Sequence, residues 1–286
     1  MIEHACIQPY WACSNDMTEQ TFAHGDAEIE SIDCAYWIEG EGEPLVLVHG
    51  IGSSHQGWSS VVADLRSEYQ CISYDLRGHG VSPLSKGSFR LDHLVEDLEA
   101  LRSRLRFEEL HIAGHSLGGM IGPAYARKYP HRVTSLSLIS TAAGRTKDDS
   151  TKVQGVVRAM EEQGIAAVLE TLADRWYTEA FIARNPDVVE RRLQQVTGMS
   201  AEVFLNVFHI YAETEMAPWL REISTPSLVL TGELDGGCNP RLNRFIDSQL
   251  PNSRLVILPG LKHALLAEAP DLVARELRKF LGSLAE

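Results

Sequence analysis

One stretch of this chain constrains its fold more than any other. An apolar run at 110–113 reads as a buried strand, and Gly114-His115-Ser116-Leu117-Gly118 follows at once, leading into a small-residue helix that extends to about residue 129. A Gly-x-Ser-x-Gly turn between strand and helix bends so sharply that its central residue is held in a strained backbone conformation. Both glycines follow from that bend, because a side chain at Gly114 or Gly118 would collide across the turn. The turn lifts the Ser116 hydroxyl above the sheet edge, over a helix N-terminus whose free N–H groups and dipole favour negative charge. Such a turn needs a sheet beneath it, so the rest of the chain must supply one.

The 286 residues suffice for one large α/β domain, or for a core with an inserted subdomain. With 44% hydrophobic and 23% charged residues, the composition is that of a soluble globular chain. The net charge of −13 argues against nucleic acid and anionic membrane surfaces as partners. Part of the excess lies at 26–43, which holds seven acids and no Lys or Arg and reads as a solvated face. The first residues lack a basic region followed by an apolar core, so no signal peptide is expected, and no run approaches the roughly 18 apolar residues of a membrane span. The five cysteines are odd in number and scattered, which points to free thiols in a reducing cytoplasm. His4, Cys6 and Cys13 match no common zinc spacing, and no metal is expected.

Read in order, residues 1–20 show no period and are expected to form an arm or loop. Strands are expected at 34–38, 44–49, 71–74, 110–113 and 133–139, with an amphipathic segment at 58–69 and a helix at 91–105 between them. The apolar residues of that helix, Leu91, Leu94, Val95, Leu98, Leu101 and Leu105, fall on one face. Alternation of this kind predicts an α/β fold with a doubly wound, mostly parallel sheet. It breaks after Gly144. From 145 to 218 the pattern is helical, around 153–162, 165–176, 187–196 and 201–211. Strands at 226–230 and 255–258 then alternate with helices at 242–250 and 270–281. The expected organisation is a core in two parts, 1–144 and 219–286, with residues 145–218 a helical cap over the carboxyl ends of the strands.

A serine hydroxyl is almost wholly protonated at neutral pH, so a nucleophilic Ser116 needs a base. Among 11 histidines, His263 stands on a loop directly after an expected strand, at the same sheet edge as Ser116. The strand at 226–230 runs into Thr231-Gly232-Glu233-Leu234-Asp235, which offers an orienting acid. Asp235 is the better aimed of its two carboxylates, and the position after the 133–139 strand holds Ser140-Thr141-Ala142, with no acid. The order Ser116, Asp235, His263 is that of a triad built on such a turn. Oxyanion donors are expected from the backbone N–H groups of Leu117 and of Ile51, whose flanking glycines allow close approach. Arg145, Arg175 and Trp176 are candidates to line the pocket from the cap. His49 and His79 read as hydrogen bonders that shape loops, His115 as pointing away from the site, and Asp75 and Arg77 as braces for the Gly78–Gly80 loop. Pro123, inside the helix after the turn, cannot donate to Gly119 and is expected to kink or tighten that helix, with the nearby glycines serving close packing.

HGIGSSHQGW at 49–58, DLRGHGVS at 75–82, GHSLGG at 114–119, TGELD at 231–235 and KHALLAEAP at 262–270 together resemble the successive motifs of the α/β-hydrolase superfamily. STAAGR at 140–145 and GIAAVLETLADRWYTEAF at 164–181 are similar to the cap entrance of 3-oxoadipate enol-lactonases. The resemblance implies no cofactor and an acyl-enzyme route on a small-molecule ester or lactone. One departure concerns Lys262, where the family usually has Gly before its histidine. Either the backbone is strained there, or the ammonium helps to hold an anionic substrate, or it is simply solvated. The same triad would also suit C–C hydrolysis of ring-fission products or amide hydrolysis, while a few members of the fold are small-molecule receptors with little turnover. Haloalkane dehalogenase and epoxide hydrolase chemistry is disfavoured, since each needs a carboxylate where Ser116 stands.

Overall fold

The structure is a computed structural model that describes residues 30–84 and 87–284. The expected N-terminal arm, with His4, Cys6 and Cys13, lies outside those residues. Seven described strands form one sheet: β1 (Tyr36–Glu39), β2 (Glu43–Val48), β3 (Tyr69–Tyr74), β4 (Leu110–His115), β5 (Val133–Ile139), β6 (Ser227–Gly232) and β7 (Ser253–Leu258). Their spatial order is β1-β3-β2-β4-β5-β6-β7, parallel throughout except for β1, which pairs antiparallel with β3 at the edge. The fold is the doubly wound, mostly parallel α/β sheet that the alternation predicts.

Side chains along β2 alternate between the two faces. Val46 and Val48 join a core completed by α2 (Leu91–Leu105) and α3 (Gly118–Lys128), through Leu94, Leu98, Met120 and Tyr125. Leu45 and Leu47 point to the other face, where α1 (Ser59–Leu65) supplies Val61 and Leu65. Both faces of β2 are therefore dry, which is why its sequence is continuously apolar rather than alternating. The acids of the 26–43 run that fall within the described residues, Glu30, Asp33, Glu39, Glu41 and Glu43, are all exposed.

Between β5 and β6 the chain forms five helices and no strand: α4 (Lys147–Gln163), α5 (Ile165–Trp176), α6 (Glu179–Arg184), α7 (Pro186–Gly198) and α8 (Ala201–Glu213). The helix α4 starts earlier than its apolar stripe predicts, because Thr146 and Asp149 cap each other's backbone and initiate a polar first turn. α6, with six residues, is too short for its periodicity to be read. After β6 come α9 (Pro240–Gln249), α10 (Leu265–Glu268) and α11 (Pro270–Gly282). Leu242 and Ile246 of α9 join the first core, while Val273, Leu277 and Phe280 of α11 close the second.

Parallel pairing brings the carboxyl ends of successive strands to one edge. Val48 sits beside Gly114, His115 beside Ile139, and Gly232 beside Leu258. The loops that follow β2, β4, β6 and β7 consequently emerge together.

Candidate active site

Ser116 occupies that edge with φ of 56°, the left-handed backbone that the sharp turn imposes on its central residue. A Cβ on Gly114 would fall 2.1 Å from the Gly118 carbonyl oxygen, and one on Gly118 would fall 2.2 Å from that of Val48. Neither position accepts a side chain. α3 continues through Pro123 as one helix. The small residues around Pro123 serve packing as expected, since a Cβ on Gly119 would lie 2.7 Å from Cβ of Thr141.

Asp235 and His263 meet as the sequence predicts. His263 Nδ1 and Asp235 Oδ2 are 2.8 Å apart, while Asp235 Oδ1 accepts from the N–H groups of Gly237 and Cys238. Two backbone donors and the imidazole thus fix the carboxylate, which is 2% exposed. Burial alone would raise its pKa, but His263 and these donors outweigh that and hold it below the ordinary carboxylate value. Burial likewise opposes the charged form of His263, and Asp235 overcomes it, so the imidazole's pKa is raised. The competing acid, Glu233, turns outward and accepts from the Gly260 N–H at 2.9 Å. Among the described residues the Ser116 hydroxyl makes no hydrogen bond.

The loop after β2 closes the site from the other side. A Cβ on Gly50 would lie 2.9 Å from Cβ of Ser116, so this backbone lies directly against the turn. His49 shapes the loop from below: its Nδ1–H donates to the Gly50 carbonyl at 2.8 Å, and its Nε2 accepts from Leu76 N–H at 3.0 Å. His79 does the same with the Arg77 carbonyl and the Gly52 N–H, both at 3.1 Å. Burial lowers the pKa of both histidines, that of His79 to about 4, so they act as neutral braces. Asp75 accepts from the N–H groups of His55 and Val81, and Arg77 pairs with Asp97, consistent with bracing roles.

These loops enclose a cavity of about 450 Å³, lined by Ile51, Ser116, Asp235 and His263 from the sheet edge and by Arg145, Arg175, Trp176 and Arg192 from or beside the helical insert. Leu117 N–H stands at the start of α3. The expected pocket residues Arg145, Arg175 and Trp176 are therefore all at the cavity. Lys262 is not: its ammonium reaches back to the Asp174 carbonyl at 2.5 Å. Nor does Lys262 have a positive φ; in this loop Gly260 takes that conformation, with φ of 69°.

A family model of the alpha/beta hydrolase fold matches residues 43–270. The chain belongs to the α/β-hydrolase family. Within it, the chain is 28% identical to 3-oxoadipate enol-lactonase 2 of Acinetobacter baylyi, over 86% of this chain and 91% of that one. Among solved structures it superposes on a thermophilic esterase from Thermogutta terrifontis, described as malate-bound, with a TM-score of 0.80 and 27% identity over 88% of this chain and 94% of that one. The enol-lactonase from Burkholderia xenovorans shares the fold, with a TM-score of 0.81 and 24% identity, covering 87% of this chain and 96% of that one.

Three residues at the site of this α/β hydrolase are not legible as such in the sequence. His115 lines the cavity instead of pointing away, and donates from Nε2 to the His263 carbonyl at 3.0 Å. Burial, followed by the His263 charge, lowers its pKa to about 3, so it braces the His263 loop as a neutral ring. Cys238 brings its sulfur into one cluster with Asp235 and His263, their donor atoms within 4.8 Å of one another. It is also 3.3 Å from Tyr211 Oη. Cys238 is a free thiol, as are Cys34 and Cys71. Arg192 comes from α7 and reaches the loop after β2. Among the described residues no helix is long and apolar enough to cross a membrane.

Proposed function

We propose that this α/β hydrolase cleaves an ester or lactone of a small anionic organic acid through a Ser116 acyl-enzyme. The observation that carries the reading is the convergence of a left-handed Ser116 with the His263–Asp235 pair in one cavity. His263 takes the Ser116 proton as the hydroxyl attacks the carbonyl, and the N–H groups of Ile51 and Leu117 receive the oxyanion. Asp235 holds the imidazole in one tautomer and stabilises the imidazolium. Water activated by His263 then releases the acid. Residues 145–218 act as a cap that shapes access, and the chemistry calls for no cofactor.

The charge of the lining supports an anionic substrate. The Nε and Nη2 atoms of Arg145 are buried without a protein partner, while Nη1 donates to the Thr214 carbonyl and the group lies 4.5 Å from the Tyr211 ring centroid. A buried guanidinium with idle donors is costly unless a ligand uses them. Asp149, at the same cavity, is already paired with Arg241. A carboxylate-bearing lactone or half-ester would meet this need, in line with the enol-lactonases among the relatives.

The test is a panel of simple esters, enol-lactones and ring-fission products, read beside Ser116→Ala. Turnover of carboxylated esters or lactones is expected, with kcat falling on the order of 10⁴-fold in the variant. Arg145→Met should raise KM for a p-nitrophenyl hemisuccinate while leaving p-nitrophenyl butyrate almost unaffected. Near-normal turnover by Ser116→Ala would sink the triad, and equal KM changes for both esters would sink the anionic substrate.

A further inference from the structure

Three consecutive peptide planes of the loop after β2 are held by identifiable partners. The Gly50 carbonyl accepts from His49 Nδ1 and, at 3.2 Å, from the Ser53 N–H. Because a trans peptide points its N–H opposite to its C=O, this anchoring turns the Ile51 N–H away from both donors. The Gly52 N–H is taken by His79. That leaves the carbonyls of Ile51 and Gly52, which the Arg192 guanidinium takes together: Nη2 donates to Ile51 O at 2.8 Å and Nη1 to Gly52 O.

Little else would hold those two carbonyls. Gly52 has φ of +63°, and a Cβ there would lie 2.8 Å from the Phe204 ring and 3.2 Å from Val196 Cγ2. Apolar side chains of α7 and α8 therefore press on this turn, and Arg192 supplies polar partners within that contact. The guanidinium also lies 5.2 Å from the Trp176 ring centroid. Burial lowers its pKa below the ordinary arginine value, Tyr177 offsets part of that, and among the described residues no carboxylate acts on it. An ion pair does not explain why a half-buried cation sits here. Its planar fork, matched to two adjacent carbonyls, does.

We infer that Arg192 is a positioning residue for the oxyanion loop, so that helix α7 completes the oxyanion hole and couples closure of the insert to catalysis. The inference rests on the serine-hydrolase reading above. Rotation of the 51–52 or the 52–53 peptide, which would strain the Ile51 donor next to it, breaks the guanidinium bond to Ile51 O or to Gly52 O while Arg192 is in place. Once Arg192 is gone, that segment is restrained by His79 on the Gly52 N–H and by the 3.2 Å bond from the Ser53 N–H to the Gly50 carbonyl, and neither holds the Ile51 or Gly52 carbonyl directly.

The test compares Arg192→Met and Arg192→Lys with the parent on a neutral ester, p-nitrophenyl butyrate, together with inhibition by a trifluoromethyl ketone and by the matching methyl ketone. For Arg192→Met, kcat should fall about 10- to 100-fold, a fraction of the loss seen when an oxyanion donor itself is removed. KM should stay within about 3-fold, since the lost interaction acts on the transition state. Affinity for the trifluoromethyl ketone, which forms an oxyanion, should fall in parallel with kcat, whereas the methyl ketone should bind as before. Lysine should rescue part of the loss, having charge without the fork. Unchanged kcat overturns the proposal, as does an effect confined to KM for carboxylated esters, which would make Arg192 a substrate contact. Unfolding of both variants also counts against it, because a positioning role leaves the core intact. A parent enzyme that hydrolyses nothing and resists a fluorophosphonate fails the serine-hydrolase reading itself, a result separate from any change among the variants.

Discussion

In the proposed mechanism His263 serves as a base only when neutral, yet Asp235 stabilises its charged form. Burial works against that charge, and the aspartate 2.8 Å away prevails, so the pKa of the imidazole is raised from the ordinary 6.5. The working limb of kcat/KM must therefore rise with pH and have its midpoint above 6.5. Asp235→Asn removes the charge, so the midpoint should move to lower pH, while the plateau falls by on the order of 10⁴-fold as the wrong tautomer is held. A pH–rate profile of both proteins on one neutral ester checks this, and an unmoved midpoint would refute it. The same linkage acts on stability. His263, with its raised folded pKa, contributes stability that is full below its unfolded value and lost as pH rises through the folded one. Asp235, with its lowered pKa, contributes above its unfolded value of about 3.8 and loses that contribution as pH falls through the folded one. These residues are legible in the sequence because each follows a strand end, and a parallel sheet collects strand ends at one edge. Arg192 carries no such signal: an arginine on a largely polar helical stretch reads as a solvated face until the loop it touches is known.

The elements between β5 and β6 are attached to the sheet edge at separate points, which sets what each attachment controls. Glu268, at the end of α10, accepts from Thr178 N–H at 3.1 Å and from Thr178 Oγ1 at 2.6 Å, at the start of α6. The Ala264 N–H donates to the Trp176 carbonyl at 2.9 Å in the same region. Glu268→Ala leaves two donors of Thr178 without their acceptor but does not touch Ser116, His263 or Asp235. Its expected outcome is faster tryptic cleavage at Arg175 and Arg184, a severalfold rise in KM, and kcat within about 3-fold of the parent, because local opening precedes global unfolding. A parental cleavage rate would show that the attachment carries no weight. Long elements such as α2, α5 and β5 are legible because their apolar period runs for many residues. The four residues of α10 and six of α6 are not, since their helical state is set by the loops they join. The side to which His115 points also escapes a period, because it depends on the turn one residue later.

At the scale of the whole molecule, one buried ion pair ties together parts of the chain that no single element connects. Arg77, after β3, meets Asp97 of α2 through two contacts of 2.6 Å, with both side chains at most 2% exposed. Asp97 Oδ1 also accepts from the Ile32 N–H at 2.8 Å, and Arg77 lies 5.4 Å from the Phe89 ring centroid. Phe89 is joined in turn to the side-chain amide of Asn206 on α8, which accepts from the Phe89 N–H at 3.0 Å and donates to the Phe89 carbonyl at 2.7 Å. The N-terminal segment, the sheet, the helix layer and the insert thus converge on one guanidinium. Burial raises the pKa of Asp97 in spite of Arg77, so desolvation is not fully repaid and the pair is no large net source of stability. Breaking it is a different matter. Asp97→Ala would leave Arg77 charged, buried and without its carboxylate, a change that costs about 3–5 kcal/mol. Urea unfolding should register that loss, while kcat per folded molecule should stay near the parent value because the catalytic groups keep their own partners. The double variant Arg77→Met with Asp97→Leu should recover most of the stability, since it removes both charges together. If the double variant is no more stable than Asp97→Ala, the cost lies in the lost connections to Ile32 and the sheet rather than in the stranded charge.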